Sequence, residues 1–141
     1  MKRLLPIWLS LAASLIFVSA IASQPKQAFK GTFVNKEFRI NLVIDLNAET
    51  IEIPGLSFLG KTHGYMSGNI YGVWMITSCK IDGDEAILRI SNDQGADAQT
   101  VRLTPAENGG LDYEVVGDNE VKRIEGRKLV KVPSKLRFDR K

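Results

Sequence analysis

Between Phe38 and Leu46 every second residue is large and apolar. Phe38, Ile40, Leu42, Ile44 and Leu46 alternate with Arg39, Asn41, Val43 and Asp45. A repeat of two places all five on one face of an extended strand, whereas a helix would scatter them around its circumference. A chain with such a strand must find other elements to cover that face, and the rest of the sequence supplies them in the same form.

Asn47, Ala48 and Glu49 supply a turn, after which Thr50 to Ile53 returns with Ile51 and Ile53 inward, the pattern of a hairpin. Tyr71 to Ile81 reads as a further strand, apolar on both faces around Val73, Trp74, Met75 and Ile76, as a strand covered from two sides would be. Asp82-Gly83 is a strong hairpin signal, since Gly takes a positive φ without steric cost. Ala86, Leu88 and Ile90 alternate in the return strand. Val101 with Leu103, then Leu111, Tyr113 and Val115, continue the repeat beyond turns at Asn92 to Gly95 and Pro105 to Gly110. Val121 to Ile124, Arg127 to Val132 and Leu136 to Phe138 complete a set of eight or nine strands, with Pro133 interrupting any regular ladder. No sustained helical repeat follows the first 22 residues.

These observations predict an all-β domain, either a small antiparallel up-and-down barrel or a β-sandwich of about eight strands. The barrel is favoured because closure removes the open edges of so many consecutive hairpins. Gly72-Val73-Trp74 reproduces the G-x-W tripeptide of the lipocalins, and the expected architecture resembles that of the lipocalin-like small barrels. In that family the tripeptide lies on the first strand. Here it follows about fifty residues of the mature chain, so the resemblance is one of architecture and transfers no functional residues.

Lys2 and Arg3 precede an apolar run from Leu4 to Val18 that lacks any charged side chain, and Ala20 and Ala22 form an A-x-A-like cleavage site. This is the plan of a signal peptide. Fifteen residues are short for a membrane span, which needs about 20. The expected organisation is therefore a signal peptide over 1–22, a flexible lead-in over 23–30 and a single β domain over 31–141. The product would be exported, to the periplasm or beyond the cell, with no membrane span after cleavage.

Removing the leader changes the meaning of the charge. The whole chain carries +3, but Lys2 and Arg3 account for two of these charges, leaving +1. A generally basic, nucleic-acid-binding protein is not expected on that balance. The charge is instead uneven: residues 120–141 hold nine basic and three acidic side chains, residues 23–119 eight and thirteen.

Gly55-Leu56-Ser57-Phe58-Leu59-Gly60-Lys61-Thr62 matches G-x-x-x-x-G-K-S/T at every fixed position. A phosphate-binding loop needs a following helix whose N-terminus faces the anion, yet glycines at 64, 68 and 72 weaken any helix there. The match is read as accidental, with no nucleotide or other cofactor expected. What remains is a glycine-rich connection from Gly55 to Gly72. It carries Phe58, His63, Tyr65 and Tyr71, with Trp74 just beyond, and these five form the candidate ligand-binding set. The competing role for the segment is a plug in which Phe58, Leu59 and Met66 close one end of the domain.

His63 is the sole histidine and Cys79 the sole cysteine, so neither a His-cluster metal site nor a disulfide is available and no metal is expected. A Cys79 thiolate with His63 as base is conceivable, although a small, buried, apolar role suits a free cysteine in a strand. Oxygen-bearing side chains gather at Asp82, Asp84 and Glu85 and again at Asn92, Asp93 and Asp97, without EF-hand spacing. No catalytic constellation emerges.

Three function classes follow. The first is a non-enzymatic binding module that engages a small apolar ligand or a polypeptide through the aromatic connection. The second is a secreted inhibitor or accessory protein that binds an acidic partner through Arg127, Lys128, Lys131, Lys135 and Arg137. The third is a small hydrolase. An internal cavity of roughly 300 Å³ or more would favour a ligand, and a filled core would favour recognition at the surface.

Overall fold

The computed structural model describes residues 28–141. The expected leader over 1–22 and most of the lead-in lie outside the described residues. Eight antiparallel strands close into a barrel: β1 (Lys30–Asn35), β2 (Ile40–Asp45), β5 (Gly64–Gly68), β6 (Trp74–Asp82), β7 (Glu85–Asn92), β8 (Ala98–Pro105), β9 (Leu111–Val116) and β12 (Lys135–Arg140). Each pairs with the next barrel strand in the chain, and β12 returns to β1. The expected up-and-down barrel is thus the observed fold. Two further ribbons stand outside it, β3 (Ile51–Glu52) with β4 (Lys61–Thr62) and β10 (Lys122–Glu125) with β11 (Lys128–Lys131).

The period-two alternation builds the interior as read. Ile40, Leu42 and Ile44 point inward from β2, Leu88 and Ile90 from β7, Val101 and Leu103 from β8, and Phe138 from β12. Trp74, Phe33 and Leu111 are likewise fully buried. Phe38 packs against this cluster from the turn after β1 rather than from a strand, because Arg39 takes φ 56° and breaks the extended run.

The seam between β1 and β12 has only two paired positions, Phe33 with Arg140 and Val34 with Asp139. Side chains reinforce it. Asn35 donates from Nδ2 to the Arg137 carbonyl at 3.0 Å, and Arg140 donates from Nη1 to the Lys30 carbonyl at 2.7 Å with its guanidinium 4.6 Å from the Phe33 ring centre.

Four expectations need correction. The lead-in ends earlier than expected, because Lys30 already belongs to β1, whose buried residues are only Phe33 and Asn35. The glycine-rich connection is not all loop: Gly64–Gly68 is barrel strand β5, with Met66 inward and paired between Leu42 and Trp74. Its glycine at 64 is required there, since φ is 139° and a Cβ would run into the Val43 carbonyl. Ile51 and Ile53 do not return along β2, because β3 pairs with β4 instead. Finally, the strand read over Tyr71 to Ile81 begins only at Trp74, and its inward face is not regular along its length. A β-bulge between Ile76 and Ser78 switches the inward set from Trp74 and Ile76 to Cys79 and Ile81. One extra residue changes the parity of everything after it, so Cys79 and Ile81 reach the core from odd-numbered positions whereas Trp74 and Ile76 do so from even-numbered ones.

Candidate functional site

The barrel interior is full. A void of about 10 Å³ lies within it, lined by Leu42, Met66, Ile76, Leu88, Ile90, Val101, Leu103 and Tyr113. That is no more than about a single water's worth of space. A void of this size is far below the roughly 300 Å³ of an enclosed ligand site.

The five aromatic-segment candidates are dispersed. Phe58 sits on a single 3₁₀ turn over Ser57–Leu59, 80% exposed, and plugs nothing; Leu59 is exposed beside it, while Met66 alone of the expected plug is buried. The segment that matched a phosphate loop continues from this turn into strands β4 and β5, with no helix to face an anion. His63 lies between those strands, its Nδ1 3.1 Å from the Asp45 carbonyl and its Nε2 3.8 Å from Glu49 Oε1. Tyr65 is half-buried on the outer wall, opposite Val43 and Met75. Tyr71 and Trp74 lie at the other end of the barrel.

The Asp45 end is closed by residues 46–63. Asp45 is buried, and its carboxylate accepts from the Thr50 hydroxyl at 2.7 Å and the Asn47 amide at 3.2 Å, with Lys30 Nζ at 3.9 Å. Burial pushes its pKa up, but the Thr50 and Asn47 bonds, Lys30 and the Ala48 amide outweigh that and hold it below the ordinary carboxyl value. Cys79, half-buried at this end, donates from Sγ to the Leu46 carbonyl at 3.6 Å. Burial and the nearby Glu49 push its thiol pKa up, opposite to the change a nucleophilic cysteine requires. Among the described residues no hydrogen bond joins Cys79 to His63.

The Gln99 end is covered by residues 117–134, which include the β10–β11 hairpin. Val121 and Val132 bury themselves over the barrel mouth, joined by a bond from the Val132 amide to the Val121 carbonyl at 2.9 Å. Gln99, 1% exposed, ties this cover to the interior. Its Nε2 donates to Tyr113 Oη at 2.9 Å, and its Oε1 accepts from the Glu120 and Val121 amides at 2.6 and 3.2 Å. Burial raises the Tyr113 phenol pKa far above its usual value, against a smaller lowering from the Gln99 bond. The hairpin is fastened to residues 69–71 by the Tyr71 amide to the Lys122 carbonyl at 2.8 Å and the Ile124 amide to the Asn69 carbonyl at 3.4 Å. Arg123 pairs with Glu125 at 2.8 Å and stacks 5.4 Å from the Phe38 ring centre.

At this end a recess of about 180 Å³ opens between Tyr71, Trp74, Asn92, Asp97, Glu120, Lys122 and Leu129. Trp74 is 1% exposed, and its Nε1–H is buried without an acceptor. Beside the recess, Tyr71, Ile124 and Leu129 present apolar surface to solvent at 43%, 42% and 48% exposure. Ile124 and Leu129 are directly cross-strand neighbours. Sequence reasoning missed both. Their alternation with Lys122, Arg123 and Lys128 looks the same as that of any half-buried strand, and only the placement of the hairpin outside the barrel leaves them uncovered.

The five basic candidates divide. Lys135 and Arg137 stand on the outer barrel wall and are engaged, Lys135 with Glu114 at 3.4 Å and Arg137 with Asp112 at 3.6 Å. They extend a ladder in which Arg102 bridges Glu85 and Glu114. Arg102, Asp112, Glu114, Lys135 and Arg137 line a surface groove of about 510 Å³. Arg127, Lys128 and Lys131 are exposed on the β10–β11 hairpin and form no ion pair among the described residues.

Among the described residues no group of three or more His, Cys, Asp or Glu is placed to hold a metal ion. The carboxylate cluster of the β7–β8 turn is used internally, with Asp93 Oδ1 accepting from the Val73 amide at 2.7 Å. No helix among the described residues is long and apolar enough to cross a membrane, which says nothing about a membrane barrel. Comparison with protein-family models, with curated proteins and with solved structures finds no match for this chain.

Proposed function

We propose that this protein is an exported, non-enzymatic binding module that recognises an acidic polypeptide at the Gln99 end of its barrel, on the β10–β11 hairpin and the adjoining Tyr71. The observation that carries the proposal is the composition of that hairpin. Ile124 and Leu129 are exposed side by side, while Arg127, Lys128 and Lys131 stand around them with no ion pair among the described residues. Exposed apolar side chains gathered within a charged rim are the make-up of a recognition surface. The unengaged cations favour a partner of opposite sign and fast, salt-sensitive association.

Two of the earlier candidate groups meet here. Tyr71 and Trp74 come from the aromatic segment, and Arg127, Lys128 and Lys131 from the basic segment. The recess between Tyr71 and Leu129 offers one anchoring position, with the Trp74 Nε1–H as an unused donor in its wall. The filled interior supports surface recognition over an enclosed apolar ligand, and the raised thiol pKa of Cys79 supports a role other than nucleophile. Lys2, Arg3 and the apolar run after them support export.

Fluorescence anisotropy with acidic, neutral and basic peptides of matched apolar content tests the proposal. The acidic set should bind, weaken as salt rises and lose affinity when Arg127, Lys128 and Lys131 are all changed to Glu. Equal binding of the basic set, or indifference to the charge reversal, would overturn it.

A further inference from the structure

Barrel closure leaves the eight main strands without open edges, but the β10–β11 ribbon lies outside that closure. Gly126 and Arg127 form its two-residue turn, with Gly126 at φ 63°, so Glu125 and Lys128 flank the turn as a hydrogen-bonded pair. Hydrogen-bonded and non-bonded pairs alternate along an antiparallel ladder. Arg123 and Val130 are therefore bonded to each other, while Ile124, Leu129, Lys122 and Lys131 direct their backbone groups away from the partner strand. For β10 those outward groups are used, since the Ile124 amide and the Lys122 carbonyl bond to Asn69 and Tyr71. For β11 the same positions are Leu129 and Lys131, and no bond to their backbone groups is formed among the described residues.

We infer that β11 accepts the polypeptide partner as an added strand, with hydrogen bonds to the Leu129 and Lys131 backbone, and that the partner segment reads acidic, apolar, apolar, acidic. The inference rests on the proposed recognition of an acidic polypeptide and specifies how it occurs. Strand addition takes affinity from main-chain bonds and specificity from the side chains opposite. Along β11 these are Lys128, Leu129, Val130 and Lys131. A strand lying beside them gains charge pairing at its first and fourth positions and apolar contact at its second and third. The pattern is symmetric, so it suits either strand direction. A second copy of this chain is the wrong occupant, because pairing two β11 edges brings together ribbons that each carry five basic residues and one acidic residue over 122–131, and like charges oppose that association.

The test uses capped peptides with a Glu-Val-Val-Glu core and its isomer Val-Glu-Glu-Val, titrated into the isotopically labelled protein. The Glu-Val-Val-Glu peptide should bind several-fold more tightly and slow hydrogen exchange at the Leu129 and Lys131 amides by roughly tenfold or more. The amide of Val130, already bonded within the hairpin, should change little. Leu129→Pro, which removes one outward N–H, should abolish that preference while leaving Val130 protected. If both isomers bind equally with no new protection at Leu129 and Lys131, strand addition is wrong and recognition by charge alone stands. If neither acidic peptide binds, both the mode and the function proposed above fall. Protection that appears without peptide and grows with protein concentration would make a second copy the occupant and overturn the inference.

Discussion

The two ends of this barrel are covered by segments of similar plan and opposite outcome. At each end a connection between barrel strands folds into a two-stranded ribbon, β3–β4 at the Asp45 end and β10–β11 at the Gln99 end. At the first, Ile53 is fully buried and a buried carboxylate organises the loop through Thr50 and Asn47. At the second, a buried amide, Gln99, performs that task, and the ribbon beyond it carries five basic residues and one acidic residue over 122–131. The lesson is that closing a barrel and presenting a surface are separable jobs. Val121 and Val132 close the mouth, which leaves Ile124 and Leu129 on the hairpin beyond them exposed.

Substitutions at the two ends would sharpen or break this contrast. Trp74→Ala should cost most, about 3–5 kcal/mol by denaturant unfolding, since it empties the core beneath the recess; Phe58→Ala at the opposite end should cost less than about 0.5 kcal/mol. Comparable losses at both positions would mean that Phe58 does plug its end.

Gln99→Leu should follow, at about 2–3 kcal/mol, because it strands the Tyr113 hydroxyl and two amides. Hydrogen exchange should quicken at Glu120 and Val121 and stay unchanged at Asn47. Tyr113 adds an alkaline signature. Its folded-state pKa is raised, so the stability tied to its neutral form is complete below the ordinary phenol value and is lost as pH climbs above it. Tyr113→Phe should flatten that decline in a pH series of unfolding curves.

Asp45→Asn should cost about 1–2 kcal/mol at neutral pH through its bonds to Thr50 and Asn47. The folded-state pKa of Asp45 is lowered, so its contribution is present above the ordinary carboxyl value and disappears as pH falls through the folded-state value. The variant should therefore lose that part of the acid sensitivity, and exchange at the Asp45 end should report it while the Gln99 end does not. The smallest effect on stability belongs to the hairpin. Ile124→Ser with Leu129→Ser should shift unfolding by less than about 0.5 kcal/mol and yet remove binding of acidic peptide. A large loss of stability would mean that these side chains pack rather than present.

The sequence was most readable where one rule acted alone. In β2, β7 and β8 the alternation named the inward residues because one face is buried and the other is wet, so period and burial coincide. It was least readable where backbone geometry intervened. Gly64 and Gly68 signalled a loop, but β5 needs glycine because its backbone passes too close to Val43 and Arg39 for a side chain. The bulge at Thr77 reversed the parity of Cys79 against Met75, and no composition marks such an insertion.

The candidate site was half legible for a similar reason. Charge asymmetry pointed to residues 120–141, yet which cations are engaged depends on register. Lys135 falls opposite Glu114 and Arg137 opposite Asp112, pairings set by how β9 and β12 align. Arg127 lies in the hairpin turn and Lys131 falls opposite Lys122, while the Glu125 opposite Lys128 pairs with Arg123 instead.

The central claim, a filled barrel that recognises its partner from outside, is tested most directly by one methyl-labelled NMR spectrum. Leu88, Ile90, Val101 and Leu103 report the interior, and Ile124, Leu129 and Val130 report the hairpin. Titration with the Glu-Val-Val-Glu peptide should move the hairpin methyls alone, and a medium-chain fatty acid should move no interior methyl. Saturable shifts of Leu88 and Val101 with the fatty acid, and a hairpin silent to the peptide, would contradict the account.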